Sequence, residues 1–197
     1  MTINTKQIAH VSLFVALIAV MTLIPSFGLL QTPIVSINII LVPCLIASQT
    51  LDIKSSVLVS TFMGIFSMLN SYLRPTTLLA FAIQNPLISI LPRIFVGAVA
   101  FLAYHGVKKL FSNSTSKFWN FTFPSVIGAI AGTATNTTLF LGMLYVVYNG
   151  TMLSTGTAVS MAFIWGIVVA NFIPEVIIAV ITVPICSFAI QKIQRIV

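Results

Sequence analysis

Acidic side chains are nearly missing from this 197-residue chain: there are two, Asp52 and Glu175. Basic residues are few as well. Charged residues of both signs make up 6% of the sequence, against about 25% in an ordinary soluble domain. So little charge cannot coat a surface that faces water. Two acids cannot build an acid-rich metal site. Cys44 and Cys186 each stand alone in an apolar run, which is no metal-ligand pattern; both read as small buried thiols. The sequence has no G-x-x-x-x-G-K-[ST] phosphate loop, so ATP hydrolysis through that motif is excluded. It also lacks H-E-x-x-H and G-x-S-x-G. These gaps argue against an intramembrane hydrolase or headgroup transferase. They predict no catalytic residue, no metal and no cofactor.

What the chain has instead is apolar: 58% of its residues are hydrophobic. Lipid is the solvent that tolerates such a surface. A helical span needs roughly 20 apolar residues, so the length suits six spans with short loops. The expectation is one all-α integral membrane domain covering 1–197. The formal net charge of +7 comes from nine lysines and arginines. They are scattered singly and in pairs between apolar runs, without the basic stripe or stacking platform that nucleic acid requires. Nucleic acid is therefore not an expected partner. The lipid bilayer is.

The first span is expected at about Ile8–Ile24. With no small-residue cleavage site after it and further spans to come, it reads as a true span and not as a signal peptide. A turn-rich link, Pro25–Pro33, follows. Span two is expected at Ile34–Leu51, with Ser36, Asn38 and Pro43 inside it, and span three at Ser55–Leu69. A loop, Asn70–Asn85, leads to span four at Pro86–Val107. The polar loop Lys108–Asn120 precedes span five, Phe123–Tyr148. After Asn149–Thr157 comes a last segment, Ala158–Ile190. It would be ~50 Å long as a helix, beyond the ~30 Å apolar core of a bilayer. A bend near Pro174 or Pro184, or a loop-like outer portion, is expected there.

In a six-span arrangement Lys6, Lys54, Lys108, Lys109, Lys117, Lys192 and Arg195 fall on one side, and Arg74 alone on the other. The positive-inside rule then puts both termini in the cytoplasm. An odd number of spans would destroy this segregation.

Arg93 and Glu175 stand out because each lies within an expected span. A charge near the bilayer centre costs about 2.5–3.5 kcal/mol on insertion scales, so such residues face a protein interior. They form either a polar substrate pocket or a structural pair between helices. Asn171 precedes Glu175 by four residues, which puts both on one helical face. Asn136 sits in the middle of span five; amides there bond a neighbouring helix or a ligand. Asn70, Tyr72, Arg74 and Asn85 belong to the outer loop, as a possible rim or lid. Ser12 and Ala16 have the small-xxx-small spacing that permits close helix approach. Gly128 and Gly132 repeat it on span five, where internal packing explains it.

Three stretches together resemble a known family. Asn85-Pro86-Leu87-Ile88-Ser89-Ile90-Leu91-Pro92-Arg93-Ile94-Phe95-Val96-Gly97 resembles the fourth-helix region of the vitamin-binding S components of energy-coupling factor (ECF) transporters. Gly132-Thr133-Ala134-Thr135-Asn136-Thr137 is similar to the fifth-helix segment of that family, and Ala170-Asn171-Phe172-Ile173-Pro174-Glu175 to its sixth-helix Ala-Asn-x-x-x-Glu. The pattern looks most like the pantothenate-specific subunits. Hydroxymethylpyrimidine, pyridoxine, riboflavin and folate are alternative substrates. The resemblance implies a substrate-binding membrane subunit that works with a T component and two ATPase subunits. For pantothenate, Arg93, the only charged donor within an expected span, is expected to receive the carboxylate, with Asn136, Asn171 and Glu175 bonding the amide and hydroxyls. Ser12 and Ala16 stand nearest to the Ala-xxx-Ala motif with which the family's first helix docks on the T component. A self-sufficient facilitator or channel and an intramembrane enzyme are the competing readings; the enzyme lacks a catalytic group.

Overall fold

The computed structural model describes residues 5–24, 28–31, 36–75, 78–112, 116, 118–153 and 158–194. Lys117 and Arg195, counted above on the basic side, lie outside these residues. Helix α1 spans Thr5–Leu23. A two-stranded antiparallel ribbon follows, β1 at Leu29–Gln31 and β2 at Ser36–Asn38. Then come α2 at Leu41–Thr50, α3 at Ile53–Leu73 and the single turns α4 at Ala80–Ile83 and α5 at Pro86–Ser89. Helix α6 covers Leu91–Leu110 and α7 covers Phe123–Tyr148. The chain ends with α8 at Met161–Ile167 and α9 at Ile173–Gln194.

Five helical stretches are long and apolar enough to cross a bilayer: Thr5–Leu23, Ile53–Leu73, Pro86–Leu110, Phe118–Tyr148 and Met161–Ile193. Much of their outer surface is large and apolar. Leu13, Val146 and Ile185 are exposed at 67%, 82% and 66%. In water this would be an aggregation surface; in a bilayer it is what the lipid tails require. The protein is a multi-pass membrane protein.

The second expected span differs. The helix begins at Leu41, not at Ile34, and its ten residues reach only ~15 Å. Residues Ser36–Asn38 pair with Leu29–Gln31 instead of winding into a helix. The polar Ser36 and Asn38 and the β-branched Ile37 favour this. Non-helical backbone is tolerated at membrane depth only where protein encloses it. Helix α2 itself is enclosed: it touches α1, α3, α6, α7 and α9, and nearly all its side chains are buried.

In the last segment Pro184 sits inside α9, and the chain widens into a π-helical turn at Val168–Phe172, two residues before Pro174. A second π turn, Phe118–Thr122, stands two residues before Pro124. A proline lacks the N–H for its helical bond and clashes with the carbonyl four residues back. A wider turn ahead of it removes both conflicts. Cys186 corrects a further expectation: it is exposed on α9, and only Cys44 is buried.

The ends of the bundle are chemically different. Lys6, His10, Asp52 and Ile193 line one cavity of about 480 Å³, so the start of α1, the α2–α3 junction and the end of α9 meet at one end. Lys108 reaches Tyr104 there, and Tyr104 bonds Gln191 of α9. Asp52 caps α3 at this end, accepting from the Ser55 N–H and hydroxyl. Burial raises its carboxyl, but these bonds outweigh burial and hold it below the usual carboxylate range. At the other end Arg74 donates to the Leu23 carbonyl at 3.1 Å, which ties α3 to α1. Gly150, with φ at 80°, turns the chain after α7.

Two apolar cores fill the bundle. The first, at the lysine-bearing end, includes Phe14, Ile18, Cys44, Leu45, Val59, Met63, Val96, Ala100, Ala129, Ala179 and Val183. The second, at the far end, includes Leu79, Ile88, Leu141, Leu144, Val159, Ile164 and Ile167. Gly128 and Gly132 serve internal packing: a Cβ on Gly128 would come within 2.9 Å of Tyr104 Cβ on α6.

Candidate functional site

On three of the long helical stretches the candidate polar residue lies between the two cores. Along α5 and α6, Arg93 stands between Ile88 of the far core and Val96 of the near one. Along α7, Asn136 stands between Ala129 and Leu141. In the last segment Glu175 stands between Ile167 and Ala179. The sequence thus lays a polar layer across the middle of an apolar bundle. Arg93, Asn136 and Glu175 are 4%, 6% and 6% exposed.

The bonding inside this layer is incomplete. Arg93 Nη1 donates to the Ile88 carbonyl at 3.0 Å, and its guanidinium carbon lies 4.9 Å from the Phe140 ring centroid. Its Nε has no partner. Glu175 Oε1 accepts the backbone N–H of Asn38 at 2.9 Å. The two charges attract each other electrostatically, yet their hydrogen bonds go elsewhere. Asn136 Oδ1, Asn38 Oδ1 and Ser60 Oγ are buried without partners. A buried polar atom left unbonded costs about 1–3 kcal/mol. Native proteins keep such atoms rarely, and for a reason.

The remaining candidates lie elsewhere. Asn171 falls within the π turn Val168–Phe172 and is half-buried. That turn widens the spacing on which a shared face with Glu175 depends, and Glu175 is the more buried of the two. Asn70, Tyr72, Arg74 and Asn85 gather at the far end of the bundle. Tyr72 donates to the Gln84 carbonyl at 3.1 Å, and Asn85 Oδ1 accepts the Leu87 N–H at 3.0 Å, capping α5. Asn70 is half-buried, and its backbone carbonyl accepts the Arg74 N–H. Ser12 and Ala16 lie on the exposed face of α1.

Sequence reasoning left Asn38, Ser60 and Phe140 out of the site. Asn38 was visible as a polar interruption of an apolar run. Ser60 and Phe140 gave no signal, since a serine or a phenylalanine in a span is ordinary.

Such a layer, buried in a membrane bundle and short of partners, is suited to holding a small polar molecule. Residues 6–186 match the family described as ECF transporter, substrate-specific component. The chain belongs to that family. No curated protein matches the chain. Substrate-specific components of ECF transporters are transport subunits and not enzymes. The family implies a small-molecule substrate, a T component and ATPase subunits as partners, and a membrane.

Proposed function

We propose that this S component captures a water-soluble vitamin carrying a carboxylate, pantothenate foremost, in the polar layer of Arg93, Asn136 and Glu175, with Asn171 reaching it from the adjoining π turn. The observation that carries this reading is the buried Arg93 with its Nε unpaired, together with the orphaned Asn136 carbonyl on α7, the helix whose Phe140 ring lies against Arg93. A guanidinium pairs with a carboxylate in a two-bond fork, stronger than a neutral hydrogen bond. Glu175 offsets part of the positive charge and accepts ligand hydroxyls.

The orientation follows the lysines, with the basic end of the bundle in the cytoplasm. Six passes of the bacterial cell membrane then keep both termini inside, the ribbon and α2 together making the second. The exposed Ser12–Ala16 face of α1 docks on the T component, and two ATPases supply energy. Asn70, Tyr72, Arg74 and Asn85 form the outer rim.

The purified chain should bind pantothenate, and mass spectrometry of co-purifying small molecules should recover it. In liposomes the chain alone should not accumulate it; accumulation should require added T component, ATPases and ATP. Accumulation by the isolated chain would overturn the S-component mechanism. With Cys44 and Cys186 replaced, an impermeant thiol reagent outside cells should label a cysteine at position 151 and spare one at 116. Strong labelling at 116 would overturn the orientation.

A further inference from the structure

The inference concerns Asn38, and it rests on the ligand-binding reading of the polar layer. Its backbone is held on two sides. Asn38 pairs with Leu29 in the ribbon, and the next residue, Ile39, donates to the Gly28 carbonyl at 3.0 Å. Gly28 is pressed against α1: a Cβ there would come within 2.6 Å of the Met21 carbonyl oxygen. On the bundle side the Asn38 N–H donates to Glu175 Oε1, 137 residues away in sequence. The ribbon is therefore clamped between the end of α1 and the middle of the last helical segment. Its side-chain carbonyl oxygen is nonetheless buried without a partner. An asparagine needed only for the clamp would need no particular side chain, because the clamp is made by the main chain.

We propose that Asn38 is a specificity-determining residue of the ligand site, its side-chain carbonyl accepting an N–H or O–H of the bound molecule. A carbonyl oxygen takes donors and repels anions. Asn38 Oδ1 and Glu175 thus form an acceptor end of the layer, and the Arg93 guanidinium forms the donor end. The ligand lies in one sense only, its anionic group on Arg93 and a hydroxyl or amide N–H on Asn38. Molecules with the anion but without that donor leave the Asn38 oxygen unpaired and are discriminated against.

Asn38→Leu tests this. It keeps the backbone N–H on Glu175 and much of the side-chain volume while removing the carbonyl. Its ligand-free melting temperature should match or exceed that of the wild-type chain, since the lost carbonyl has no partner and the main-chain bond to Glu175 is kept. Of pantothenate, hydroxymethylpyrimidine, pyridoxine, riboflavin and folate, the one that binds the wild-type chain most tightly by isothermal titration is the probe. Asn38→Leu should bind that probe about tenfold more weakly. Among analogues of the probe each lacking one N–H or O–H, one should lose about tenfold against the wild type. That analogue should bind Asn38→Leu as well as the intact probe does. Asn38→Ser, which retains an oxygen on a shorter arm, supplies the same comparison in a second variant. Wild-type affinity in Asn38→Leu, or an equal loss for every analogue, overturns the assignment; if Arg93→Ala still abolishes binding, the site reading survives. A collapse of ligand-free stability in both Asn38 variants marks a structural residue and also overturns it. Failure of all five vitamins to bind the wild-type chain overturns the site reading and this assignment together.

Discussion

Two polar regions are buried in this bundle, and they are built on opposite terms. Near the lysine-bearing end, Gln49 Nε2 donates to the Ser125 carbonyl at 2.9 Å, and the Ser125 hydroxyl returns a bond to Gln49 Oε1 at 2.6 Å. Gln191 Nε2 donates to the Gln49 carbonyl at 2.8 Å and to the Tyr104 hydroxyl at 3.1 Å, which also accepts from Lys108. Side chains of α2, α6, α7 and α9 complete one another there. In the middle of the bundle the reverse holds: Asn38, Ser60, Arg93 and Asn136 each keep a buried atom unbonded. Both regions carry the cost of desolvation. The first recovers most of it within the chain, although Ser187 Oγ, one turn before Gln191 on α9, is also buried without a partner. A satisfied network fixes the packing of helices; the unsatisfied one is where we propose that a molecule from outside binds.

This contrast can be broken or sharpened by substitution. The larger effect is expected at the satisfied network. Gln49→Ala leaves a cavity and strands the Ser125 hydroxyl, at a cost of about 2–4 kcal/mol in stability. The protein should melt earlier in detergent, while folded molecules keep wild-type ligand affinity. Loss of affinity without loss of stability would erase the distinction between the two regions. A smaller effect is expected at Asp52, which is outside both. Asp52→Ala removes the α3 cap and should cost about 1 kcal/mol. Because the folded state holds this carboxyl low, its contribution is complete above the unfolded value of about 3.9 and is lost as pH falls through the lowered folded value. The melting difference between Asp52→Ala and the wild type should be constant near neutral pH and close only in acid. A difference that vanished at neutral pH would contradict the cap.

Much of the fold could be read from composition and hydropathy. Thr5–Leu23, Ile53–Leu73 and Phe118–Tyr148 overlap the expected first, third and fifth spans, because an apolar run long enough to cross lipid has few alternatives to a helix. Among the described residues the lysines segregate to one end, as their spacing between apolar runs required. The β-ribbon was not legible. Hydropathy over Ile34–Leu51 is equally consistent with a helix, and the tertiary contacts of the ribbon, the Asn38 N–H on Glu175 and Gly28 against Met21, are distant in sequence or carry no sequence signal. The π turns were hidden as well: Pro174 and Pro124 announce a backbone conflict without saying whether a kink or a widened turn resolves it. Arg93 and Glu175 were legible as site candidates because a charge in a span is conspicuous. Asn38 showed only as a polar interruption of an apolar run; the burial of its side-chain carbonyl depends on the ribbon, which the sequence hid.

The central claim is that Arg93 and Glu175 serve a ligand and not each other. It is tested most directly by ligand affinity and detergent melting temperature in Arg93→Ala, Glu175→Ala and the double variant. The account predicts that Arg93→Ala remains folded near the wild-type melting temperature and loses roughly 2–5 kcal/mol of pantothenate binding, as when one side of a buried charge pair is truncated. The double variant should bind no better. If Arg93→Ala instead melts far below the wild type, and the double variant recovers both stability and binding, the two residues are a structural pair and the account is contradicted.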